Sequence, residues 1–334
     1  MRFVTKRIER ASAWARRRAR REHEAHGLVL MYHRVAKPSV DPWQLAVAPE
    51  TFDTQLRALR QAFDLVPLSE LRHNLRSGQR SRPVAAVTFD DGYLDNLTVA
   101  KPILERHEVP ATVFVVTGFT GEREAFWWDR LAHATLGDEP VPARLEIAGE
   151  PAAFEFHDPC LAEGGARGRR ARRRLHDRLW AWLCDRSDAD KRRVLEHLER
   201  WSGRAPADDP GGLPMSPDEL RALVAGGLID VGAHTVTHPR LSRLPRDAQA
   251  AEIANSRRQC RAVLGRDPVA FSYPNGDYAL ESVELVRQAG FSIACDSRAD
   301  FTWAGDDAHR IPRISVREET GAALSRRLRW GWLT

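Results

Sequence analysis

The sequence predicts an α/β fold with a parallel sheet that is either open or closed into a barrel. Two observations predict it: short apolar runs alternate with amphipathic segments, and helix-capping signals stand between them. The expected strands are 28–32, 84–89, 111–116, 228–232, 269–273, 291–295 and 311–316, and the expected helices are 52–62, 99–106, 217–225, 247–264 and 280–288. Chemistry in such folds lies at the carboxyl ends of the strands, so polar residues that follow these runs are the candidates for a site.

Capping signals fix several helix boundaries. Ser216, Pro217 and Glu219 supply an N-cap, a first-turn proline and a capping-box acid. Gly265 and Gly290 stand where two helices should end, because glycine adopts the left-handed C-cap conformation without strain. These boundaries agree with the alternation of strands and helices.

One long segment interrupts the alternation. Residues 119–213 contain aromatic pairs, an Arg-rich run and helical patterns, but no clear strand alternation. We expect an insertion there that is mostly helical after Gly168, while 27–118 and 214–334 form the sheet domain. Residues 1–26 are expected to form a separate basic helix.

Arginine is clustered at 7–21 and 167–178, in a chain of 334 residues with a net charge of +5. Such clusters suit an anionic membrane surface, an acidic glycan or nucleic acid. The N-terminal cluster is not followed by an apolar run of the kind that export signals need, so we expect a cytoplasmic protein. That basic helix is either solvated or in peripheral contact with the inner membrane. The four widely spaced cysteines are expected to be ordinary thiols.

Two adjacent aspartates follow one of the expected strands. Asp90 and Asp91 come directly after the run that ends at Phe89, and Gly92 allows a tight turn. Because the chain begins to turn there, both carboxylates can reach one site. Paired carboxylates suit a division of labour in which one binds a cation and the other moves a proton. A turn with solvated acids is the alternative.

Two histidines follow another expected strand. The spacing of His234 and His238 lets both imidazoles meet one metal ion, although Pro239 argues against a long helix there. Two imidazoles and one carboxylate leave coordination positions open, which is typical of a catalytic metal site. Zinc is the first expectation for these ligands, and cobalt, nickel and manganese remain open.

A third polar group follows the run 269–273. Pro274, Asn275 and Gly276 form a turn signal, and a turn at a strand end can aim backbone N–H groups into a site. Such donors stabilise an oxyanion. Tyr273 and Asn275 are therefore candidates for oxyanion or substrate contacts, with a plain loop as the alternative.

These three clusters, in this order, resemble the polysaccharide deacetylase family, also called the NodB homology domain or carbohydrate esterase family 4. The resemblance implies a distorted (β/α) barrel, here with a largely helical insertion, and a divalent metal. It assigns Asp91, His234 and His238 as the metal ligands and Asp90 as the base that activates water. It further implies hydrolysis of the N-acetyl amide of amino sugars in a polysaccharide or oligosaccharide.

Two more segments resemble members that act on bacterial exopolysaccharides. They are 30–35, which contains His33, and 126–129 at the start of the insertion. The resemblance places His33 near the site at a strand end, and a packed histidine is the alternative. An exopolysaccharide intermediate on the cytoplasmic side is the expected substrate, while chitooligosaccharide and peptidoglycan also present N-acetyl groups.

The sequence departs from the family pattern at two places. Many members carry an arginine that orients the catalytic aspartate where this chain has Ser272. Arg313, on the last expected strand, is the candidate for that role, and a strand-edge charge is the alternative. The late histidine that protonates the leaving amine also lacks its usual Leu-x-His context. His309 is the candidate for it, and an unrelated loop histidine is the alternative.

Two other classes of function are compatible with the sequence. A catalytically impaired glycan-binding module would explain the two departures, although it has no need of both aspartates. A nucleic-acid binder is suggested only by the Arg runs, and no helix-turn-helix, zinc-finger or RNA-binding signature accompanies them. Weak, salt-sensitive binding is the most that those runs predict.

Overall fold

A computed structural model describes residues 26–77, 82–148, 153–204 and 209–329 of the chain. The basic helix expected at the N-terminus, and with it the predicted membrane contact, lies outside these ranges apart from His26. Among the helices of the described ranges, none combines the length and apolar composition that crossing a bilayer requires. The four cysteines are free thiols, as expected.

The strands fall into one large sheet and two small ones. In chain order they are β1 (His26–Tyr32), β2 (Arg34–Val35), β3 (Ala46–Val47), β4 (Asp64–Leu65), β5 (Val84–Phe89), β6 (Ala111–Val115), β7 (Arg144–Ile147), β8 (Phe154–His157), β9 (Ile229–Ala233), β10 (Ala270–Ser272), β11 (Ile293–Cys295), β12 (Thr302–Trp303) and β13 (Ile314–Ser315). The order in the large sheet is β11-β10-β9-β6-β5-β1-β12, with β13 also beside β1 and β4 beside β5. Strands β2 and β3 form one small sheet, and β7 and β8 the other.

The large sheet is curled, and one segment pairs with strands near both of its ends. Ile311 forms a parallel bridge with Cys295 at the end of β11, and Ile314 pairs in parallel with Leu30 of β1. All pairs of the large sheet are parallel except the one between β1 and β12. The expected distorted (β/α) barrel is confirmed.

The helices lie between the strands. They are α1 (Pro49–Ala62), α2 (Leu71–Ser77), α3 (Lys101–Arg106), α4 (Trp127–Leu136), α5 (Gly165–Leu183), α6 (Asp188–Ser202), α7 (Pro217–Val224), α8 (Arg246–Leu264), α9 (Leu280–Gln288) and α10 (Gly321–Arg329). The expected capping box is present: Ser216 Oγ accepts the N–H of Glu219 at 3.3 Å, and the Glu219 carboxylate accepts the N–H of Ser216 at 2.7 Å. Gly265 ends α8 with a φ of 72°.

The central strands are buried on both faces, which explains their continuous apolar runs. Alternate residues of one strand belong to different clusters: Leu30 and Val87 lie in the core that the outer helices cover, whereas Val29 and Ala86 pack with α2 and the sheet's ends. Both faces are therefore excluded from water, and polar chemistry is confined to the strand ends.

The segment 119–213 has a hydrophobic core of its own, which includes Leu131, Leu175 and Leu195. It is mostly helical, with α4, α5 and α6, but it also contains the antiparallel hairpin β7–β8. The sequence shows no clear strand alternation in this segment, and the hairpin lies before Gly168, where the helical part was expected to begin. Each strand of the hairpin has only four residues, and two of the four are exposed, so the alternation is too short to recognise.

Candidate active site and metal centre

The strand register brings the candidate residues to one edge of the sheet. Phe89 at the end of β5 lies opposite Tyr32 of β1 and Val113 of β6. Ala233 at the end of β9 lies opposite Val115 of β6 and Phe271 of β10. The residues that come next in the chain, which include His33, Asp90, Asp91 and His234, line one cavity with Tyr273 and Arg313.

Three side chains at this edge form a compact group. Asp91, His234 and His238 each offer one ligand atom, and these atoms lie within 4.8 Å of one another. Asp91 Oδ1 is 3.7 Å from His234 Nε2 and 3.6 Å from His238 Nε2. These distances are too long for hydrogen bonds. They match two ligands at about 2.1 Å from a common tetrahedral ion, which stand roughly 3.4 Å apart.

Contacts outside this group hold the two imidazoles in place. The ring of His234 bonds through Nδ1 to the carbonyl oxygen of Ser272 at 2.7 Å, which makes Nδ1 the donor and leaves the Nε2 lone pair free. The ring of Trp128 lies 4.8 Å from that of His238. The backbone N–H of His238 donates to Thr235 Oγ1 at 3.1 Å, within a loop rather than a helix.

The backbone around the group is strained. Asp91, Thr235 and His238 all have positive φ angles, of 73°, 64° and 59°. Non-glycine residues adopt this region at a cost and persist there mainly at functional sites. Gly92 is required for close packing as well as for its φ of 86°, because a Cβ there would lie 2.8 Å from Val115 Cγ1.

The protonation states suit cation binding. Burial lowers the pKa of both His234 and His238, so their rings are neutral and their lone pairs available. Burial, together with the neighbouring charges of Asp90 and Asp129, raises the pKa of Asp91 well above its usual range. A buried carboxylate of this kind is stabilised by a cation.

The second aspartate is held differently. Both carboxylate oxygens of Asp90 accept hydrogen bonds from the guanidinium of Arg313, at 2.6 and 2.7 Å. Burial alone would raise the pKa of Asp90, but the charge and hydrogen bonds of Arg313 outweigh it and hold that pKa well below the usual range. Arg313 is only 1 % exposed, so the alternative of a strand-edge charge is wrong. Its guanidinium also donates to Ser272 Oγ at 2.8 Å.

The remaining candidates that line the cavity, His33, Tyr273 and Asn275, differ in how their polar groups are bonded. His33 lines the cavity, and burial lowers the pKa of its imidazole to about 4. Tyr273 also lines it, but its backbone N–H donates to Cys295 and its hydroxyl to the carbonyl of His309. Asn275 is exposed at the cavity with a φ of 57°.

The structure does not bring the side chain of His309 to this cavity. Its Nε2 hydrogen-bonds to the carbonyl oxygen of Phe291 at 2.8 Å, and Nδ1 lies 3.6 Å from Asp307. The residue is almost fully buried, at 9 % exposure. The expectation that His309 could protonate the leaving amine is therefore corrected, because both ring nitrogens are directed to other groups.

A buried network that sequence reasoning missed supports the Asp91 loop. Arg34 pairs with Asp95 and with Asp209, each at 2.8 Å, and its guanidinium lies 4.9 Å from the centre of the Tyr93 ring. The Tyr93 hydroxyl donates to Asp129 and accepts from Trp128 Nε1, each at 2.8 Å. The tryptophan that packs on His238 is thus tied to the loop that carries Asp91. Only the Trp-Trp-Asp sequence at 127–129 hinted at this.

The cavity has a volume of about 450 Å³. Its lining combines the polar strand ends with four tryptophans, Trp43, Trp127, Trp128 and Trp180. An apolar wall with a few convergent polar groups is typical of a binding site for a small molecule or one unit of a polymer.

Comparisons with known proteins agree with this geometry. The sequence profile of the polysaccharide deacetylase family matches residues 77–142 and 188–294, just over half of the chain. YxkH of Bacillus subtilis, a protein assigned to the polysaccharide deacetylases, is 27 % identical over 122 residues, which cover 36 % of this chain and 41 % of that relative.

Two solved structures share the fold over nearly the whole chain. The deacetylase PplD of Streptococcus pyogenes, solved with acetate, has a TM-score of 0.58 at 17 % identity, over 91 % of this chain and 98 % of that one. IcaB from Ammonifex degensii has a TM-score of 0.58 at 21 % identity, over 92 % and 97 % of the two chains. At these identities the likeness is one of fold.

Proposed function

Because the chain belongs to the polysaccharide deacetylase family, we propose that it is a metal-dependent hydrolase of the N-acetyl amide of amino sugars in a polysaccharide or oligosaccharide. One observation carries the proposal: a buried carboxylate fixed by Arg313 lies in the same cavity as the group of Asp91, His234 and His238. Amide hydrolysis needs a base for water and an electrophile for the carbonyl, and this arrangement offers a place for both.

The described residues fit a divalent cation at Asp91, His234 and His238. One carboxylate and two neutral imidazoles leave coordination positions open for substrate and water. Zinc is the metal that we propose first, and cobalt, nickel and manganese accept the same nitrogen and oxygen ligands. When bound, the cation would polarise the acetyl carbonyl and lower the pKa of a water molecule towards about 7.

Asp90 is proposed as the base that takes the proton of the attacking water. The two hydrogen bonds from Arg313 keep the carboxylate ionised and fix its plane. Asp90 Oδ2 lies 4.0 Å from His234 Nε2, so a water molecule that reaches the ligand group is also close to the base. The exposed Asn275 lines the same cavity, and its backbone N–H is proposed as a hydrogen-bond donor to the oxyanion.

His33 is proposed as the group that protonates the departing amine. Apart from His234 and His238, it is the only histidine among the described residues that lines the cavity. Its pKa of about 4 means that the ring is neutral before substrate binds. Negative charge on the tetrahedral intermediate would raise that pKa and allow His33 to take up the proton that Asp90 removed from water and to pass it to the departing amine.

We further propose a bacterial exopolysaccharide, or an intermediate in its synthesis, as the substrate. The two segments that resemble exopolysaccharide-type members both contribute to the cavity, through His33 and through Trp127 and Trp128. Chitooligosaccharide and peptidoglycan are the competing substrates, because each presents the same N-acetyl group.

The alternative of a glycan-binding module without catalysis loses one of its two arguments. It rested partly on the missing arginine of the third motif. Arg313 donates to Asp90 and also to Ser272, the residue that stands where many members carry that arginine. The absent late histidine remains, and His33 is the proposed replacement.

Acetate release tests the proposed function directly. Purified protein is stripped of metal with a chelator, then given zinc or cobalt, and incubated with N-acetylglucosamine oligomers and with exopolysaccharide preparations. The proposal predicts acetate only after metal is restored. Stoichiometric metal binding without acetate from any of these glycans would favour the glycan-binding module.

A further inference from the structure

Part of the cavity wall comes from the insertion rather than from the strand ends. Trp180 of α5 and Cys184 just beyond it line the same cavity as Asp91 and His234. The family's sequence profile leaves residues 143–187 unmatched, and Trp180 lies inside that gap. This part of the site is therefore additional to what the family match covers.

Trp180 pairs with a second tryptophan at the cavity. The ring centres of Trp43 and Trp180 are 5.3 Å apart, with an angle of 55° between the planes. Trp43 is 36 % exposed, and among the described residues only Leu280 is another large apolar side chain exposed to that degree or more. An apolar ring that is exposed to water in a cavity gains free energy when a ligand covers it. Trp43 is therefore a candidate for contact with a ligand.

The tryptophan pair is held in place before any ligand arrives. Arg173 donates to the carbonyl of Pro42 at 3.0 Å, and its guanidinium lies 5.2 Å from the centre of the Trp43 ring. His176 packs on the same ring at 5.7 Å. Positions 173, 176 and 180 share one face of α5, so a single helix face fixes the loop that carries Trp43.

The loop is also anchored from within. Both carboxylate oxygens of Asp41 accept backbone hydrogen bonds, from Leu45 and Ala46, each at 2.9 Å. An aromatic wall whose rings are already ordered loses little conformational entropy when a ligand binds.

A second cavity lies next to the first. It has a volume of about 520 Å³ and shares Cys184 and Arg240 with the first, and Arg243 is among its further lining residues. The guanidinium of Arg240 lies 5.5 Å from the centre of the Trp180 ring. Space next to the reacting sugar suits a ligand longer than one sugar.

On the basis of the proposed deacetylase function, we propose that Trp43 and Trp180 form a subsite for the sugar ring next to the N-acetylated one. One face of a pyranose ring carries C–H bonds that pack on the electron-rich face of an aromatic ring. Arg240, whose guanidinium lies over the Trp180 ring, also lines the cavity and is proposed to donate hydrogen bonds to substituents of the bound sugars. The substrate is thus an oligosaccharide or polymer, and longer chains are preferred over short ones.

The test compares kcat/KM for acetate release from the pentamer and the monomer of N-acetylglucosamine, with zinc-loaded protein, because only the monomer leaves the neighbouring subsite empty. The wild type is expected to prefer the pentamer. Trp180→Ala should reduce the pentamer-to-monomer ratio roughly tenfold, the loss of one aromatic contact. Trp182→Ala is the matched control, because Trp182 is on the same helix but packs on Phe154 and Arg186 away from the cavity. Trp180→Phe should restore most of the ratio and shows that the fold tolerates the change.

A binding measurement separates this inference from the proposed function. Calorimetric titration with a fully deacetylated glucosamine pentamer requires no turnover. Acetate release with an unchanged ratio in Trp180→Ala would overturn the subsite and leave the deacetylase intact. The second outcome is pentamer binding without acetate release. If Trp180→Ala weakens that binding and Trp182→Ala does not, the subsite is supported and the deacetylase function is contradicted. A wild type that neither prefers nor binds the pentamer would also overturn the subsite.

Discussion

Arg313 contacts both oxygens of the Asp90 carboxylate across 223 positions of sequence, at 2.6 and 2.7 Å. The pair is buried, and the same guanidinium donates to Ser272 Oγ. The third motif, which has serine where many members have arginine, therefore accepts a hydrogen bond from an arginine elsewhere in the chain. A fork of two parallel hydrogen bonds fixes the carboxylate in its plane, which a point charge cannot do.

Replacement of Arg313 by lysine tests this fork. Arg313→Lys keeps the charge but loses the two parallel bonds, so kcat should fall by roughly 10²-fold. The pKa of Asp90 should rise, because the guanidinium hydrogen bonds that help to lower it are lost although the positive charge is kept, and the acid limb of the pH–rate profile should move to higher pH. The exposed Arg317→Lys is the control. An unchanged kcat and profile in Arg313→Lys would show that the pair has no part in turnover.

The two histidines His234 and His309 should behave as opposites. His234→Ala removes one of three ligands and should lose the bound metal, measured by elemental analysis after dialysis. His309→Gln should keep both metal and activity, because its imidazole bonds to Phe291 outside the cavity. Stoichiometric metal in His234→Ala would contradict the ligand assignment, and loss of activity in His309→Gln would reinstate it as a catalytic group.

His33 can be tested through the leaving group. His33→Gln should lower kcat on an N-acetylated sugar by roughly 10²-fold, because the amine must be protonated before it departs. An activated aryl acetate loses a phenolate that needs no proton, so its hydrolysis should change little. Metal content serves as the control. An equal loss with both substrates would mean that His33 does something other than proton donation.

Asp129 should give the metal-free protein a distinct pH dependence. Burial, partly offset by Arg34 and Tyr93, raises its pKa to about 7. The folded state then binds the proton more tightly than the unfolded state, whose value is about 3.9. Asp129 therefore contributes its full stabilisation of the folded state below about pH 3.9. It loses that contribution as the pH rises to about 7.

Asp129→Asn removes this dependence while keeping an acceptor for Tyr93. The melting temperature of the variant minus that of the wild type, in chelator, should therefore increase between about pH 5 and about pH 8. The exposed Glu155→Gln should show no such trend. A difference for Asp129→Asn that stays constant with pH would contradict the raised pKa.

The repeating part of the fold could be predicted from local sequence. Buried parallel strands are continuous apolar runs, so 84–89 and 111–115 were predicted within a residue of their ends. The aspartate and histidine clusters could be found for the same reason, since each follows such a run. The hairpin β7–β8 could not, because four half-exposed residues carry too little periodicity.

What the sequence could not supply was the pairing between distant residues. Arg313 could be named as a partner of Asp90 only through the family resemblance, and nothing local to Asp209 indicates that it reaches Arg34. The sequence also does not show that His33 lines the cavity whereas the imidazole of His309 bonds outside it. Each histidine is next to a short apolar run, and that pattern does not fix the direction of its side chain. The Trp43–Trp180 pair depends on how the insertion folds back, which has no local signal at all.

The most direct test of the central claim is acetate release by zinc-loaded Asp90→Asn, with bound zinc measured in the same sample. The amide side chain still fits beside Arg313 but cannot take a proton from water, so the variant should bind one zinc and release no acetate above background. Near-normal acetate release from Asp90→Asn would contradict the account, because the base would then have to be another group.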